Sequence, residues 1–250
     1  MLSRRHPLAL RHGVALATGC AMLALAGCSG STQAPPLGDE PAQTQPQSEL
    51  ARSTGTVDCD PAPELPTDIP TFRATQAPSA TVPDTAVVDV ETNCGTITLD
   101  LNGAAAPQTV ASFLLLAEGG FWADSPCHRL VDASIHVLQC GDPTGTGRGG
   151  PGYTFGIENA PPDGFYPRGA IAMARTADPD SNGSQFFIVF EDTMLPSEGG
   201  GYTIFGTVTD GMNIVDHVAD AGVEGGGVEG MPAQPISIIG VGLKEEASTS

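Results

Sequence analysis

The stretch CHRLVDASIHVLQC, residues 127–140, contains the residue types best suited to chemistry in this chain. Its arginine, Arg129, is unusual because only 10 lysines and arginines accompany 29 aspartates and glutamates. A guanidinium remains charged and donates several hydrogen bonds without titrating. The flanking cysteines could form a disulfide bond or join His128 and His136 around a metal ion. Since adjacent strand residues point to opposite faces, Cys127 and His128 suit one ion poorly, and we expect no metal site.

The N-terminus indicates export. Three arginines within the first 11 residues precede a short apolar run that ends in small residues and a cysteine, as in a secretory signal peptide over residues 1–27. The ending LAGC resembles a bacterial lipobox, which predicts lipid attachment to Cys28, with palmitate-type chains as a stable anchor. This places the protein at the outer face of the bacterial cytoplasmic membrane. An ordinary signal peptide with an incidental cysteine is the alternative.

Composition divides the rest of the chain into three parts. Residues 28–83 are rich in Pro, Ala, Gln and Thr without an apolar period, which predicts a disordered tether. Residues 84–245 carry the patterns of a folded domain, and residues 246–250 form a disordered tail. The formal net charge of −19 argues against nucleic-acid binding, because phosphates must be met by lysine and arginine. It also argues against attraction to anionic lipid headgroups.

The sequence pattern of the folded part predicts a mainly β structure. The segment VVDVETNCGTITLDL shows two alternating runs around a glycine-containing turn, which predicts a hairpin. The stretches PQTVASFLLLAEGG and GMNIVDHVADAG predict two helices, each ended by glycine. Seven or more strands with only two helices favour an antiparallel sandwich or a closed barrel.

Four cysteines lie beyond the N-terminal segment: Cys59, Cys94, Cys127 and Cys140. An even number in an exported protein indicates a disulfide framework with three possible pairings. If CHRLV and HVLQC pair as antiparallel strands, Cys127 and Cys140 lie opposite each other at the open end of the hairpin. Cys59 would then reach back from the tether to Cys94.

Several motifs together resemble one family. AIAMAR followed by NGSQFF, the upstream CHR and the downstream FGTVTDGMNIVD are similar to the cyclophilin family of peptidyl-prolyl isomerases over about residues 85–243. With LQCGDPTGTGRGGPGYTF, the pattern resembles exported cyclophilins of actinobacteria. The resemblance implies a closed eight-stranded antiparallel barrel capped by two helices. It also implies action on proline-containing polypeptides. We further expect a monomer that needs no cofactor.

The resemblance gives Arg129 a role. Rotation about an Xaa-Pro bond loses amide resonance, a barrier of about 18–20 kcal/mol, and a fixed donor can stabilise the prolyl nitrogen when its lone pair is freed. Arg129 matches that donor, Gln185 matches the glutamine that holds the substrate backbone and orients the arginine, and Phe187 matches the floor of the proline pocket. The segment that pairs with the extended peptide matches Ala174, Arg175 and Thr176. Strand alternation predicts that Phe186 and Phe187 face opposite ways.

The chain departs from the family pattern in the hairpin after Arg129, which is two residues longer. Counting back from Gln139 places His136 where a pocket phenylalanine is usual, with Val137 beside it, and a histidine there would make the pocket more polar and sensitive to pH. Alternatively, the longer loop shifts the register, so that His136 faces solvent and an apolar neighbour such as Ile135 fills the pocket.

The remaining departures concern the rim of the pocket. Met194 or Leu195 stands where cyclosporin-sensitive members carry a tryptophan, so strong cyclosporin binding is not expected. Tyr202 occupies a position that is often histidine. The functional expectation is an isomerase for exported or unfolded proteins. The alternatives are a proline-peptide-binding module or holdase without catalysis, and a surface protein that uses the domain only as a scaffold.

Overall fold

The computed structural model describes residues 56–73 and 81–244. The signal peptide, the lipid attachment at Cys28, the first part of the expected tether and residues 246–250 lie outside the described residues. Among the described residues are two α-helices, α1 (Pro107–Glu118) and α2 (Met212–Ala221), and a short 3-10 helix at Glu198–Gly200. None of these helices is long and apolar enough to cross a membrane. The strands are β1 (Thr85–Thr92), β2 (Gly95–Asn102), β3 (Ser125–Pro126), β4 (Arg129–Asp132), β5 (His136–Cys140), β6 (Phe165–Tyr166), β7 (Ala170–Met173), β8 (Phe186–Val189), β9 (Thr193–Met194), β10 (Ile204–Asp210), β11 (Glu229–Gly230) and β12 (Ser237–Leu243).

Ten of these strands form one antiparallel sheet in the order β11-β4-β5-β8-β7-β10-β2-β1-β12-β3, while β6 and β9 pair separately. The sheet is strongly curled, so that strands of one short segment pair near both of its ends. Within residues 125–132, β3 pairs with β12 and β4 pairs with β5 and β11. The mainly β fold with two helices is therefore confirmed, and eight strands have four residues or more.

The inner core fills the space that the curled sheet encloses, and both helices contribute to it. Phe113 of α1 packs against three other aromatic rings, with centroid distances of 4.6 Å to Trp122, 5.7 Å to Phe186 and 5.5 Å to Phe205. All four rings are nearly fully buried. Burial of aromatic side chains on this scale is a major source of stability, so the inner core fixes the strands that carry the outer face.

Helix α1 begins at Pro107, whose fixed φ suits the first helical turn. Its N-cap residue, Ala106, supplies no side-chain cap. The cap comes from a distant loop, because the Glu158 carboxylate accepts hydrogen bonds from the backbone N–H groups of Gln108 and Thr109 at 2.9 and 2.8 Å. A carboxylate at a helix N-terminus also interacts favourably with the helix dipole. The loop around Glu158 is thereby tied to the helix.

Residues 56–73 lie against the domain, so the expectation of an extended tether does not hold for this part of the segment. Asp60 and Asn93 are linked by two hydrogen bonds of 2.8 Å, and the Phe72 N–H donates to the Pro151 carbonyl at 3.0 Å. The apolar residues of the segment that contact the inner core are Val57, Cys59, Ile69 and Phe72. The prediction failed because these anchors are scattered among prolines and show no period.

Two disulfide bonds join the four cysteines of the described residues, Cys59–Cys94 and Cys127–Cys140. The second follows from the antiparallel pairing of β4 with β5, which brings the ends of this hairpin together. The first fastens residues 56–73 to the turn between β1 and β2. These are the partners that the sequence analysis favoured among the three possible pairings.

The loop after β5 is built around one buried carboxylate. Asp142 accepts hydrogen bonds from the backbone N–H groups of Thr144, Arg148 and Gly149 and from the Thr144 hydroxyl, at 2.7 to 3.0 Å. Burial alone would raise the pKa of Asp142, but these hydrogen bonds outweigh it and hold the pKa below its usual value. Next to this loop, burial lowers the pKa of His128, with the charge of Asp142 opposing the shift.

We expect removal of the Cys127–Cys140 bond to destabilise the domain. The Cys127→Ala/Cys140→Ala double variant should lose about 2–4 kcal/mol in free energy of unfolding, because the unfolded chain regains the freedom of a closed loop. Urea unfolding under non-reducing conditions measures the difference. In a strong reductant, wild type and variant should unfold at nearly the same urea concentration, and equal stability in both conditions would contradict the prediction.

We also expect His128 to make stability depend on pH. Because its pKa in the folded state lies below the ordinary value of 6.5, the unfolded chain binds the proton more readily. The stability it contributes is complete above pH 6.5 and falls as the pH drops below that value. Unfolding free energies at pH 7.5 and 5.5 should therefore differ less in the His128→Gln variant than in wild type. A variant that loses as much stability as wild type would show that other groups are responsible.

Candidate active site

Three neighbouring strands place the predicted site residues in one row. In the observed register Arg129 of β4 lies opposite Gln139 of β5, and Gln139 lies opposite Phe187 of β8. Residues directly opposite each other in a sheet point to the same face. Because adjacent strands are about 4.8 Å apart, the backbones of Arg129 and Phe187 are separated by roughly 10 Å. The row lies on the face of the sheet opposite the inner core.

The guanidinium of Arg129 is held by two side chains from different elements. Its Nη1 donates to Gln139 Oε1 at 3.0 Å, and its Nε donates to Glu229 Oε1 of β11 at 2.8 Å. The Arg129 side chain remains 35% exposed. Of its five N–H donors, two are used in these bonds, so three remain for a ligand. Arg129 is therefore positioned before any substrate arrives.

A chain of amide groups continues from this pair. Gln139 Nε2 donates to Gln185 Oε1 at 2.9 Å, and Gln185 Nε2 donates to the Gly149 carbonyl at 2.9 Å. Gly141 allows the close approach of β5 to the Gln185 segment, since a Cβ on it would lie 2.3 Å from the Ser184 carbonyl oxygen. Gln185 thus orients Arg129 through Gln139, without a direct hydrogen bond to the arginine.

Phe187 belongs to a second apolar cluster on the outer face of the sheet, which we call the outer apolar cluster. Its buried members are Val131, Val137, Tyr166, Ala170, Ala172, Phe187, Val189 and Leu195, and its partly buried members are Ile135, Ala174, Tyr202 and Ile204. Phe187 is only 5% exposed, whereas its neighbour Phe186 packs into the inner core. The predicted opposite orientation of the two phenylalanines is confirmed.

Two tyrosines flank Phe187. The ring of Tyr202 lies 5.7 Å and that of Tyr166 6.4 Å from the Phe187 ring, between centroids. The Tyr166 hydroxyl donates to the Tyr202 carbonyl and accepts from the Tyr202 N–H, at 3.0 and 2.7 Å. Burial raises the pKa of Tyr166, so its hydroxyl stays protonated at neutral pH. The tyrosine that replaces the common histidine therefore forms part of the pocket wall.

The structure corrects the placement of His136 in the substrate pocket. Its Nδ1 lies 2.9 Å from Asp132 Oδ1, and its ring packs 5.7 Å from the ring of Phe190, a member of the inner core. Ile135 packs against the outer apolar cluster instead, and Val137 is one of its buried members. The longer turn therefore takes the histidine away from the outer apolar cluster and places Ile135 there, as the second alternative proposed. That alternative also expected His136 to face solvent, but its side chain is only 22% exposed because it packs on Phe190.

Ala174, Arg175 and Thr176 line the site beside Gln185. The Ala174 N–H donates to the Gln185 carbonyl at 2.9 Å, and the Thr176 N–H donates to Ser181 Oγ at 2.9 Å. These two N–H groups are thus bonded within the chain. An extended peptide would have to pair with the remaining backbone groups of this segment.

The structure separates Met194 from Leu195. Leu195 is buried in the outer apolar cluster, whereas Met194 is 57% exposed and pairs with Phe165 of β6. Two other contributors were not predicted as site residues. Gln139 was used only to number the hairpin residues, although the predicted pairing of the two strands could have placed it opposite Arg129. Glu229 lies 100 residues from Arg129 in the chain, and no local pattern identifies it.

A groove of about 910 Å³ adjoins the row and shares Gln139 with it, and Ala174 and Gln185 also line this groove. Its other walls are residues 147–154 and the loop that follows Ala174. We call it the side groove. A polypeptide lying across Arg129 and Phe187 would pass directly beside it.

Comparison with known proteins agrees with this geometry. The family model described as cyclophilin type peptidyl-prolyl cis-trans isomerase matches residues 87–243. The "Probable peptidyl-prolyl cis-trans isomerase B" of Mycobacterium tuberculosis is 45% identical over 168 residues, which are 62% of this chain and 53% of that protein. The Mycobacterium leprae protein of the same name is 44% identical over 179 residues, 66% of this chain and 59% of that protein. The chain thus spans a little over half the length of these relatives.

A solved structure supports the same assignment. A cyclophilin type peptidyl-prolyl cis-trans isomerase of Cryptosporidium parvum matches with a TM-score of 0.56 and 29% sequence identity, covering 65% of this chain and 99% of that one. A second structure of that protein was determined in the presence of the dipeptide Ala-Pro, with a TM-score of 0.55 and 30% identity. With the matched family model covering most of the folded domain, this chain belongs to the cyclophilin-type peptidyl-prolyl cis-trans isomerase family.

Proposed function

We propose that this protein catalyses cis–trans isomerisation of Xaa-Pro peptide bonds in polypeptides. The observation that carries the proposal is the position of Arg129, whose guanidinium is fixed by Gln139 and Glu229 beside the apolar pocket around Phe187. The pocket suits a proline ring, which has no N–H and is apolar. The guanidinium suits the polar atoms of the peptide bond that precedes the ring.

The reaction requires no nucleophile and no acid–base pair. As the bond twists, amide resonance is lost and the prolyl nitrogen acquires a lone pair that can accept a hydrogen bond. A donor held beside that nitrogen interacts with it more strongly in the twisted state than in the planar one, which lowers the barrier. Arg129 can provide this donor without reorganisation, because its position is already fixed in the unliganded protein.

The pocket contributes by holding one side of the bond. A proline ring packed on Phe187 and enclosed by Leu195 and Val137 stays fixed while the preceding carbonyl turns. All three side chains are buried at the base or walls of the outer apolar cluster. The Cryptosporidium protein was crystallised in the presence of Ala-Pro, which supports proline-containing peptides as ligands of this pocket too.

We further propose that the substrates are exported or unfolded proteins at the outer face of the bacterial cytoplasmic membrane. Two disulfide bonds support an oxidising compartment, and the N-terminal pattern ending at Cys28 supports a lipid anchor. The mass of the mature N-terminus tests this part of the proposal. A diacylated Cys28 agrees with it, whereas an unmodified Cys28 or cleavage at another residue contradicts it.

The alternative of a binding module without catalysis rested on a histidine in the pocket and on the acidic surface. His136 lies outside the outer apolar cluster, so the first of these arguments is lost. The two functions still give different results in one assay. A binding module would bind Xaa-Pro peptides while leaving their exchange rate at the value of the buffer alone.

We expect Arg129→Ala to lower kcat/KM for short Xaa-Pro peptides by about 10²–10³-fold, the usual effect of removing a fixed transition-state donor. Arg129→Lys should recover only part of the loss, because an ammonium cannot bond Gln139 and Glu229 in the same fork. Exchange spectroscopy between cis and trans peptide forms measures the rates. An alanine variant as active as wild type would remove Arg129 from the mechanism, and no acceleration by the folded wild-type domain would contradict the proposed function.

We expect Glu229 to act as a positioning residue. Glu229→Ala should lower kcat by about two- to fivefold, since a partly exposed ion pair contributes roughly 0.2–1 kcal/mol to holding the guanidinium. Glu229→Gln, which keeps a hydrogen-bond acceptor, should retain more activity. Glu224→Ala removes a charge from the same loop and serves as the control. Equal kcat in Glu229→Ala and Glu224→Ala would contradict this role.

A further inference from the structure

The side groove has a charge opposite to that of the rest of the molecule. Its lining includes Arg148 and Arg175 and contains no aspartate or glutamate. The whole chain carries 29 acidic residues against 10 basic ones. Two arginines without a carboxylate in the same lining make this a locally cationic surface on an acidic protein.

The charges of these two arginines are not neutralised by carboxylates of the described residues. Within residues 56–73 and 81–244, Arg129 pairs with Glu229, Arg168 with Asp216 and Lys244 with Asp89. By contrast, Arg175 donates only to backbone carbonyls, those of Gly201, Thr176 and Glu198. The exposed guanidinium of Arg148 has no ion-pair partner in this part of the chain.

Arg175 is also rigidly held. Its three carbonyl acceptors lie at 2.7 to 3.2 Å, and its guanidinium carbon lies 4.9 Å from the centroid of the Tyr202 ring. These contacts leave two of its five N–H donors unused. Because Glu198, Gly201 and Tyr202 do not line the side groove, Arg175 contributes a fixed positive charge at its wall. The exposed guanidinium of Arg148 provides the donors that match the two oxygens of a carboxylate.

Glu198 contacts Arg175 only through its backbone carbonyl, and no ion pair joins the two side chains. Two other acidic residues, Asp142 and Asp178, accept hydrogen bonds from backbone N–H groups. Asp142 is fully buried beneath the loop that carries Arg148 and accepts hydrogen bonds from that loop's backbone. Asp178 accepts a hydrogen bond from the Asp180 N–H in the exposed turn beyond Thr176. These residues do not line the side groove.

The side groove is joined to the reacting site. Gln185 bonds Gln139 at one end and the Gly149 carbonyl in the groove wall at the other. A polypeptide with its proline on Phe187 therefore presents a flanking side chain to Arg148 and Arg175. We propose that the side groove binds an acidic side chain next to proline, so that this isomerase selects Xaa-Pro bonds flanked by aspartate or glutamate.

This inference rests on the proposed function, and one experiment separates the two. Short peptides with a single Xaa-Pro bond carry Glu, Gln or Lys in turn at each of the two positions before and after that bond. At one position, the Glu peptide should show a KM roughly five- to tenfold below that of the Gln peptide, with the Lys peptide weakest. The value of kcat should be unchanged, because the groove binds both bond geometries equally.

Substitutions of single charged residues and a change of salt concentration test which side chains cause the preference for Glu peptides. Arg148→Gln should remove most of the Glu preference, and Arg175→Gln provides a second removal of charge, whereas Lys244→Gln removes a charge outside the groove and should retain the preference. Raising NaCl from 0.05 to 0.5 M should reduce the preference in wild type, since the groove is open to solvent.

The outcomes are distinct. Equal KM for Glu, Gln and Lys peptides in an active wild-type protein overturns the inference and leaves the proposed function intact. Full Glu preference in both arginine variants also overturns it. If the protein accelerates the isomerisation of none of the peptides, the proposed function fails. Peptide binding then decides the inference. Shifts of the Arg148 and Gly149 amide resonances with the Glu peptide but not with the Gln peptide support it, and equal shifts overturn it.

Discussion

The site depends on the register of one short hairpin. Strand β4 has only four residues, and its pairing with β5 determines which side chain lies beside Arg129. A shift of one residue would move Gln139 to the opposite face and bring Leu138 next to the guanidinium, because side chains alternate along a strand. The Cys127–Cys140 bond at the open end of this hairpin fixes the register covalently. Together they keep the arginine and the outer apolar cluster in one row.

Because the sheet is curled, its inner face forms the core and its outer face forms the site. The face turned inward is filled by the aromatic and aliphatic inner core, which provides stability through burial. The outer face of β4, β5, β7 and β8 carries a smaller apolar cluster that the chain leaves partly open at Ile135, Ala174, Tyr202 and Ile204. A pocket of this kind is rigid because its floor is continuous with a close-packed sheet.

The sequence allowed those parts of the structure to be predicted that depend on local pattern. Both helices are found where the apolar spacing and glycine stops indicated, and the alternation at Phe186 and Phe187 assigned each ring to the correct face. His136 was ambiguous because the turn length sets the register of the residues just before β5, and turn geometry is not encoded by residue type alone. Glu229 and the docking of residues 56–73 depend on contacts between distant parts of the chain, for which one sequence provides no periodicity.

The order of the cysteines has a consequence for oxidative folding. Both bridges join cysteines that are consecutive among the four, Cys59 to Cys94 and Cys127 to Cys140. If the chain is exported N-terminus first, as proposed, each first cysteine of a pair would meet its native partner as the next of the four thiols to emerge. Oxidation in that order would yield the native connectivity directly, without the slow exchange of mispaired thiols that interleaved pairings require.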